Sequence, residues 1–272
     1  MASARDPRRR VAFLLELDPD LGTLIPSGRA EEARGSLQVA VQRLSVGYWN
    51  VSRLAQADPG HLGLLIVDGV LARDVVLDDS ISTELLGAGD LVRPWHAESI
   101  RPMLRHEVRW SVLADAELAL LDRRLAAALA RYPEVYAALL DRSDRRSERL
   151  ATAKAIVQLN RVERRLLAFF WHLAERWGRV TTEGVLIPLT LSHRALANLV
   201  GARRPTVSSS LGELARRGEL ARRPDGQLAA HRRPGRRRVA GRAAIRAAAP
   251  TLRLAGCRAF SARADGNRRR VR

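Results

Sequence analysis

Short apolar runs broken by glycine, aspartate and proline fill the first half of the chain. Between Leu37 and Asp122 the stretches LGLLIVDG, RDVVLDD and LLGAGDLV each hold a few consecutive aliphatic residues, and Val108 to Leu121 closes the series. Runs of this length between turn residues predict many short β-strands, as in a sandwich or barrel. After Asp122 the period changes. RRLAAALARYPEVYAALLDR is rich in Ala and Leu, and Pro133 suits the first turn of a new helix. Val135 and Leu139, then Leu150, Ala153 and Val157, fall near one heptad-like stripe, which predicts a long helix over about 133–159. Its centre, DRSDRRSER, is strongly polar and interrupts the stripe, so a coiled-coil seam and a solvated amphipathic helix both remain open.

From Arg161 to Trp177 the positions Val162, Leu166, Phe169, Phe170 and Leu173 share one helical face, and such aromatic clustering reads as core. Gly178 is placed to end that helix, and VTTEGVLIPL then reads as a strand or short hairpin. Two further helices follow. Ser192 is a suitable N-cap for a helix whose apolar face is Leu196, Leu199 and Val200, and Gly201 permits a sharp exit. A second helix, from about 204 to 217, carries Val207, Leu211 and Leu214 at burial spacing. Two short helices about a glycine turn form the helix-turn-helix pattern. Beyond Gly218, ELARRPDGQLAAH predicts two short strands around Pro224, Asp225 and Gly226, which adds a wing.

An αα-turn alone has no chemistry, but the polar residues around this one do. Arg203 and Arg204 sit at a helix N-terminus, where the macrodipole disfavours cations by roughly 0.3–1 kcal/mol. Ser208, Ser209 and Ser210 are poorer mid-helix residues than Ala or Leu. Local stability does not explain these choices; neutralising phosphates and approaching a groove closely does. Pro205 fits the same helix if Arg203 is the N-cap, because a first-turn N–H has no intrahelical partner to lose.

Charge changes the picture only once it is divided. Of the net +18 over 272 residues, residues 1–130 contribute −3, while residues 131–189 and 190–231 contribute +4 each. The last 41 residues, 232–272, hold 14 arginines against one acid, so most of the excess lies there. Its Arg, Ala, Gly and Pro composition favours disorder. The single cysteine, Cys257, excludes an intrachain disulfide framework, and a cysteine-held cluster or zinc site would need several thiolates. A reducing cytoplasmic setting is expected. Acids at Glu16 and Asp18 interrupt the N-terminal apolar run before it reaches signal length, and no run approaches the roughly 20 apolar residues of a membrane span.

With LANLVGARRPTVSSSLGEL, LLIVDGVLARDVV and LLGAGDLV in place, the chain resembles the Crp–Fnr family of bacterial transcription regulators over about residues 37–231. That resemblance implies an α+β chain. Residues 1–36 would be an N-terminal extension, and 37–131 an antiparallel β-roll of cupin-like jelly-roll type, the cyclic-nucleotide-binding-like sensor. Residues 132–160 would form a long dimerisation helix and hinge, 161–231 a winged helix-turn-helix, and 232–272 an Arg-rich tail. The implied partners are double-stranded DNA, a second copy of the chain and RNA polymerase. Position by position, Arg204 stands where relatives read guanine, whereas Pro205 replaces a common glutamate and Ser209 a common arginine. Ser192, Arg203 and Thr206 match phosphate-holding positions, Ser208 would face the groove floor, and Arg222 and Arg223 in the wing would touch the DNA backbone.

The sensor departs from the family. Where cyclic-nucleotide binders carry Gly-Glu and then an Arg-Ser/Thr-Ala cassette, this chain has Asp90-Leu91-Val92-Arg93-Pro94-Trp95. A cyclic phosphodiester would lack its charge-assisted bonds there, with Arg101, Arg105 and Arg109 as the available substitutes. The effector is therefore undefined, and Arg93 and Trp95 are the candidate pocket residues. No cofactor or metal is expected: the cysteines of the oxygen-sensing branch are absent, and His61, His96 and His106 lack a haem-ligand motif. A nonspecific nucleic-acid binder driven by the tail is the competing class. An enzyme is disfavoured, because no nucleophile triad, HExxH, P-loop or GxGxxG pattern occurs.

Overall fold

The computed structural model describes residues 9–51, 61–95, 103–182 and 184–230, all within one compact unit spanning Met1–Arg233. Arg5, Arg8, His96, Arg101 and the Arg-rich tail lie outside the described residues.

The first sheet is antiparallel throughout. It takes β1 (Arg9–Phe13), β2 (Gln38–Leu44), β7 (Glu107–Leu121), β4 (Gly63–Leu77) and β5 (Ser80–Gly87) in the order β1-β2-β7-β4-β5; β3 (Gly47–Tyr48) pairs with β7, and β6 (Leu91–Val92) with β4. LGLLIVDG and RDVVLDD are therefore halves of one 15-residue strand, β4, whose pairing with β7 shifts register between Ile66 and Leu71. The punctuation inside it marks bulges rather than turns.

The continuous apolar run of β4 has a structural reason. Successive strand side chains point to opposite faces, and here both faces are covered. Leu64 and Ile66 join Trp49, Leu71, Leu86, Trp110 and Leu118 in one core, while Leu65 joins Leu14, Leu37, Val41, Leu121 and Leu125 in another. Trp49 and Trp110 meet edge-on in the first core with centroids 5.7 Å apart.

Residues 9–36 are not an extension appended to the roll. The strand β1 pairs along β2 from Arg9↔Gln42 to Phe13↔Gln38, and the short helices α1 (Leu14–Leu17) and α2 (Ser27–Ser36) follow it. Leu14, Leu15, Leu21, Ile25 and Ala33 are buried in the second core. The sequence reading missed this because α2, SGRAEEARGS, shows almost no apolar face and buries only Ala33, with Ala30 packed alongside.

Asp122 caps α3 (Arg123–Leu129), accepting the Leu125 amide at 2.9 Å, and α4 (Pro133–Val157) follows with proline in its first turn. Three zones divide α4. Val135 and Leu139 pack into the second roll core, and Ile156 packs into the core of the C-terminal part. Between them the polar centre meets acids of the first part: Arg142 pairs with Asp18 at 2.7 Å, Arg146 grips both oxygens of Glu84 at 2.7 and 2.9 Å, and Arg149 pairs with Asp90. DRSDRRSER interrupts the apolar stripe because the surface it faces presents carboxylates.

The C-terminal part buries Leu166, Phe169, Phe170 and Leu173 of α5 (Val162–Trp177), the face expected from the sequence. A four-stranded antiparallel sheet, ordered β10-β11-β9-β8, lies beside it. Its strands are β8 (Arg179–Thr181) and β9 (Gly184–Ile187), a hairpin, and β10 (Ala221–Arg222) and β11 (Leu228–Ala230), the wing. Among the described residues no helix is long and apolar enough to cross a membrane, and no cluster of three His, Cys, Asp or Glu is placed to hold a metal ion.

Candidate nucleic-acid interface

The helix-turn-helix is built by local rules and then pinned by a distant arginine. Ser192 Oγ accepts the Ala195 amide at 3.0 Å and starts α6 (His193–Val200), which buries Leu196, Ala197, Leu199 and Val200. Gly201 ends it in the left-handed region, φ 61° and ψ 50°, and a Cβ there would meet Val157 Cγ1 at 2.8 Å. Glycine thus serves both the backbone reversal and the close approach of α4. Arg165 of α5 satisfies carbonyls left open at this turn, donating to Gly201 O at 2.9 Å and Val200 O at 3.3 Å, and to Leu159 O just after α4 at 2.6 Å. Sequence spacing gave no sign of Arg165, because its partners are main-chain atoms far along the chain.

The second helix, α7 (Arg204–Arg216), begins at Arg203, whose backbone is extended and whose side chain does not cap. Pro205 lies in the first turn, where the N–H that proline lacks would have had no helical acceptor. Val207, Leu211 and Leu214 face the core, leaving Arg203, Arg204, Pro205, Thr206, Ser208, Ser209 and Gly212 exposed.

The three serines do different things. Ser208 Oγ lies 3.2 Å from Arg204 O and 2.7 Å from His193 Nδ1. A hydroxyl has one proton, so if it goes to the carbonyl, His193 must carry hydrogen on Nδ1 and donate. Ser209 turns back to Pro205 O and Thr206 O at 3.2 and 3.0 Å. Ser210 is buried and donates to Glu163 Oε1 of α5 at 3.0 Å. Its place in the serine run is therefore structural, and only Ser208 and Ser209 keep the outer face small. The Glu163 carboxyl is held below the usual range by its own backbone amide and by Ser210.

Charge on this surface is sorted by partner. Arg216 and Arg217 are committed to Glu213. Arg203 and Arg204 are exposed, and their guanidiniums have no partner among the described residues; Arg194, in the first turn of α6, is in the same condition and was not picked out from the sequence. In the wing, Arg222 Nε donates to Leu191 O at 3.2 Å, so this side chain also ties the wing to the start of α6. Arg223 stands 3.8 Å from Asp225 across the turn closed by Gly226 N and Arg223 O at 2.9 Å.

The candidate effector residues sit together on the roll. Arg93 Nη2 donates to His61 O at 3.2 Å, Trp95 stands edge-on to the His61 ring with centroids 6.0 Å apart, and Trp95 packs against the tryptophan-containing core. Arg109 is bound to Glu107 by two bonds of 2.7 and 2.6 Å, and His106 Nδ1 lies 3.1 Å from Leu104 O.

Comparison with known proteins places both parts. Residues 164–233 match the Crp-like helix-turn-helix domain. Among solved structures, a cyclic nucleotide-binding domain containing protein from Listeria monocytogenes EGD-e superposes with a TM-score of 0.57 at 17% identity, covering 79% of this chain and 97% of its own. A CooA variant from Carboxydothermus hydrogenoformans gives 0.55 at 19% identity, covering 79% and 91%. A transcriptional regulator of the CRP family from Thermus thermophilus gives 0.52 at 18% identity, covering 70% and 92%. No curated sequence matches the chain. Residues 164–233 are thus similar to the Crp-like helix-turn-helix domain, and over 70–79% of its length the chain shares the fold of these solved structures.

Proposed function

We propose that the protein is a sequence-specific, homodimeric DNA-binding transcription regulator working in the cytoplasm, with double-stranded DNA as its main partner and RNA polymerase as a further one. The observation that carries this reading is the surface around the start of α7. Three exposed guanidiniums, Arg194, Arg203 and Arg204, are free of protein partners among the described residues, beside a helix face kept small by Ser208, Ser209 and Gly212. A mid-helix glycine on an exposed face costs about 1 kcal/mol relative to alanine; here it removes the last obstacle to a groove wall. Arg204 is the base reader, and Ser192, Arg203 and Thr206 hold phosphates. Arg222 and Arg223 follow the backbone from the wing.

Exposed apolar side chains on α4 support pairing with a second copy: Tyr136 and Leu140 are 37% and 63% accessible. Two heads on a shared α4 seam would address major grooves about one helical turn apart. Cyclic nucleotide is not the effector in this reading. The aspartate of the Gly-Ala-Gly-Asp turn is fully engaged by Arg149, Arg176 and the Gly87 amide, and the cassette after it is missing.

Selection from random duplexes tests the proposal. A near-palindromic site with half-sites roughly 10 base pairs apart is expected, and it should be retained when residues 232–272 are deleted. Salt-sensitive binding without sequence preference, lost with that deletion, would transfer the function to the tail.

A further inference from the structure

The polar centre of α4 carries one arginine that the ion pairs with the roll do not use. Arg142, Arg145 and Arg149 are spaced by three and four residues and so share a helix face. Across a cleft of about 270 Å³ they meet His172, Glu175 and Arg176 of α5, above the turn Ala88-Gly89-Asp90. Four guanidiniums line this cleft against two carboxylates. Both Asp90 oxygens are occupied, by Arg149, by Arg176 at 2.6 Å and by the Gly87 amide at 3.0 Å. Arg142 is held by Asp18. Arg145 is exposed and has no partner among the described residues.

The cleft is shaped for a close cation. Gly89 sits at φ +86°, which favours glycine, and the Arg142 guanidinium lies close over it, where a Cβ would have to displace that group. Burial, together with the neighbouring Arg176 and Arg146, pushes the Arg149 pKa down in spite of Asp90. Beside the cleft, an apolar niche with Leu150, Phe169, Leu173 and Trp177 in its wall shares Arg149, His172 and Arg176 with it.

We infer that this cleft binds a small organic oxyanion, a phosphomonoester or a carboxylate, with its charged group forked by Arg145 together with Arg142 and Arg149 and its apolar part against Leu150 and Phe169. Arginine forks suit the planar and tetrahedral oxygens of both groups. The site lies outside the roll interior and does not depend on the DNA-binding reading. It is also remote from the DNA-facing helix along α5: the Ser210 contact is at Glu163, and Arg176 is thirteen residues further on, about 20 Å along the axis.

Calorimetric titration of the full chain with phenyl phosphate, benzoate and inorganic phosphate, at ionic strength held constant with chloride, tests the site. Saturable binding of phenyl phosphate or benzoate at millimolar or lower concentration is expected, and the tighter of the two assigns the ligand class. Arg145→Ala should weaken it about tenfold and Arg145→Lys by less, since lysine keeps the charge and loses the fork. Arg34→Ala, at an exposed arginine on α2, should change nothing. Absence of saturable binding, equal binding by Arg145→Ala, an equal loss with Arg34→Ala, or inorganic phosphate binding as tightly as the organic anions overturns the inference.

Discussion

Replacing Asp90 by asparagine should destabilise the protein by about 2–3 kcal/mol. Asp90 is 2% exposed and accepts from Arg176 at 2.6 Å, from Arg149 and from the Gly87 amide at 3.0 Å. Removing one partner of a fully buried ion pair costs about 3–5 kcal/mol, mostly because the other charge is left desolvated and unpaired. Here the arginine side chains are 18% and 34% accessible, so water can partly reclaim them and the loss moves below that range. Asparagine keeps an acceptor for Gly87. Alanine does not, and should cost about 1 kcal/mol more. In a protein of this size, 2–3 kcal/mol lowers the melting temperature by about 4–12 °C. Urea unfolding read by circular dichroism, with wild type and both variants side by side, measures the loss directly. A midpoint for Asp90→Asn equivalent to less than about 0.5 kcal/mol of destabilisation, the range of ordinary surface substitutions, would refute the reasoning. Asp90 would then be a surface residue that happens to be covered.

Arg204→Ala should cost about 1–3 kcal/mol of specific DNA affinity and relax preference at one base position, while Arg203→Ala should weaken all sequences alike and reduce the salt slope by about one; competition gel shifts over a salt series separate the two. Ser210→Ala should lose about 1 kcal/mol of stability by orphaning Glu163 Oε1, whereas Ser209→Ala, exposed and bonded only to its own helix, should stay within about 0.5 kcal/mol in denaturant titrations. His172 is half-buried, and burial, aided by Arg149 and opposed by Glu175, lowers its pKa from 6.5. The unfolded chain therefore takes up this proton first. The His172 contribution to stability is whole above about pH 6.5 and declines as pH falls toward the folded value, by at most about 1.4 kcal/mol per unit. Melting temperatures between pH 5 and 8 should show that slope, and His172→Gln should flatten it.

Local chemistry was readable where neighbours in sequence are also neighbours in space. The Ser192 cap, the Gly201 turn, Pro205 in the first turn of α7 and the wing around Pro224-Asp225-Gly226 all follow from interactions within a few residues, and the structure forms them at those positions. The helix over 133–159 is present as Pro133–Val157 for the same reason. Reading failed where the deciding partner is remote. Residues 9–36 showed no amphipathic pattern strong enough to place them, yet β1 is fixed by pairing with β2 and Leu14 by a core shared with Leu121. The bulges that make one strand of β4 are set by β7, more than thirty residues later in the chain.

For the site, the amino-acid sequence by itself determined which helix is presented and that Arg203 and Arg204 stand at its start, because capping and apolar periodicity are local. Tertiary structure decided what each polar group is free to do. It buried Ser210 against Glu163 and left Ser208 and Ser209 outside; it engaged Arg222 with Leu191 O and left Arg194 unpartnered among the described residues. It also turned DRSDRRSER from an interruption of a seam into three ion pairs with the roll and one guanidinium, that of Arg145, without a partner among the described residues. A charged side chain's role depends on the charge it meets, and in this chain those charges come from segments that only folding brings together.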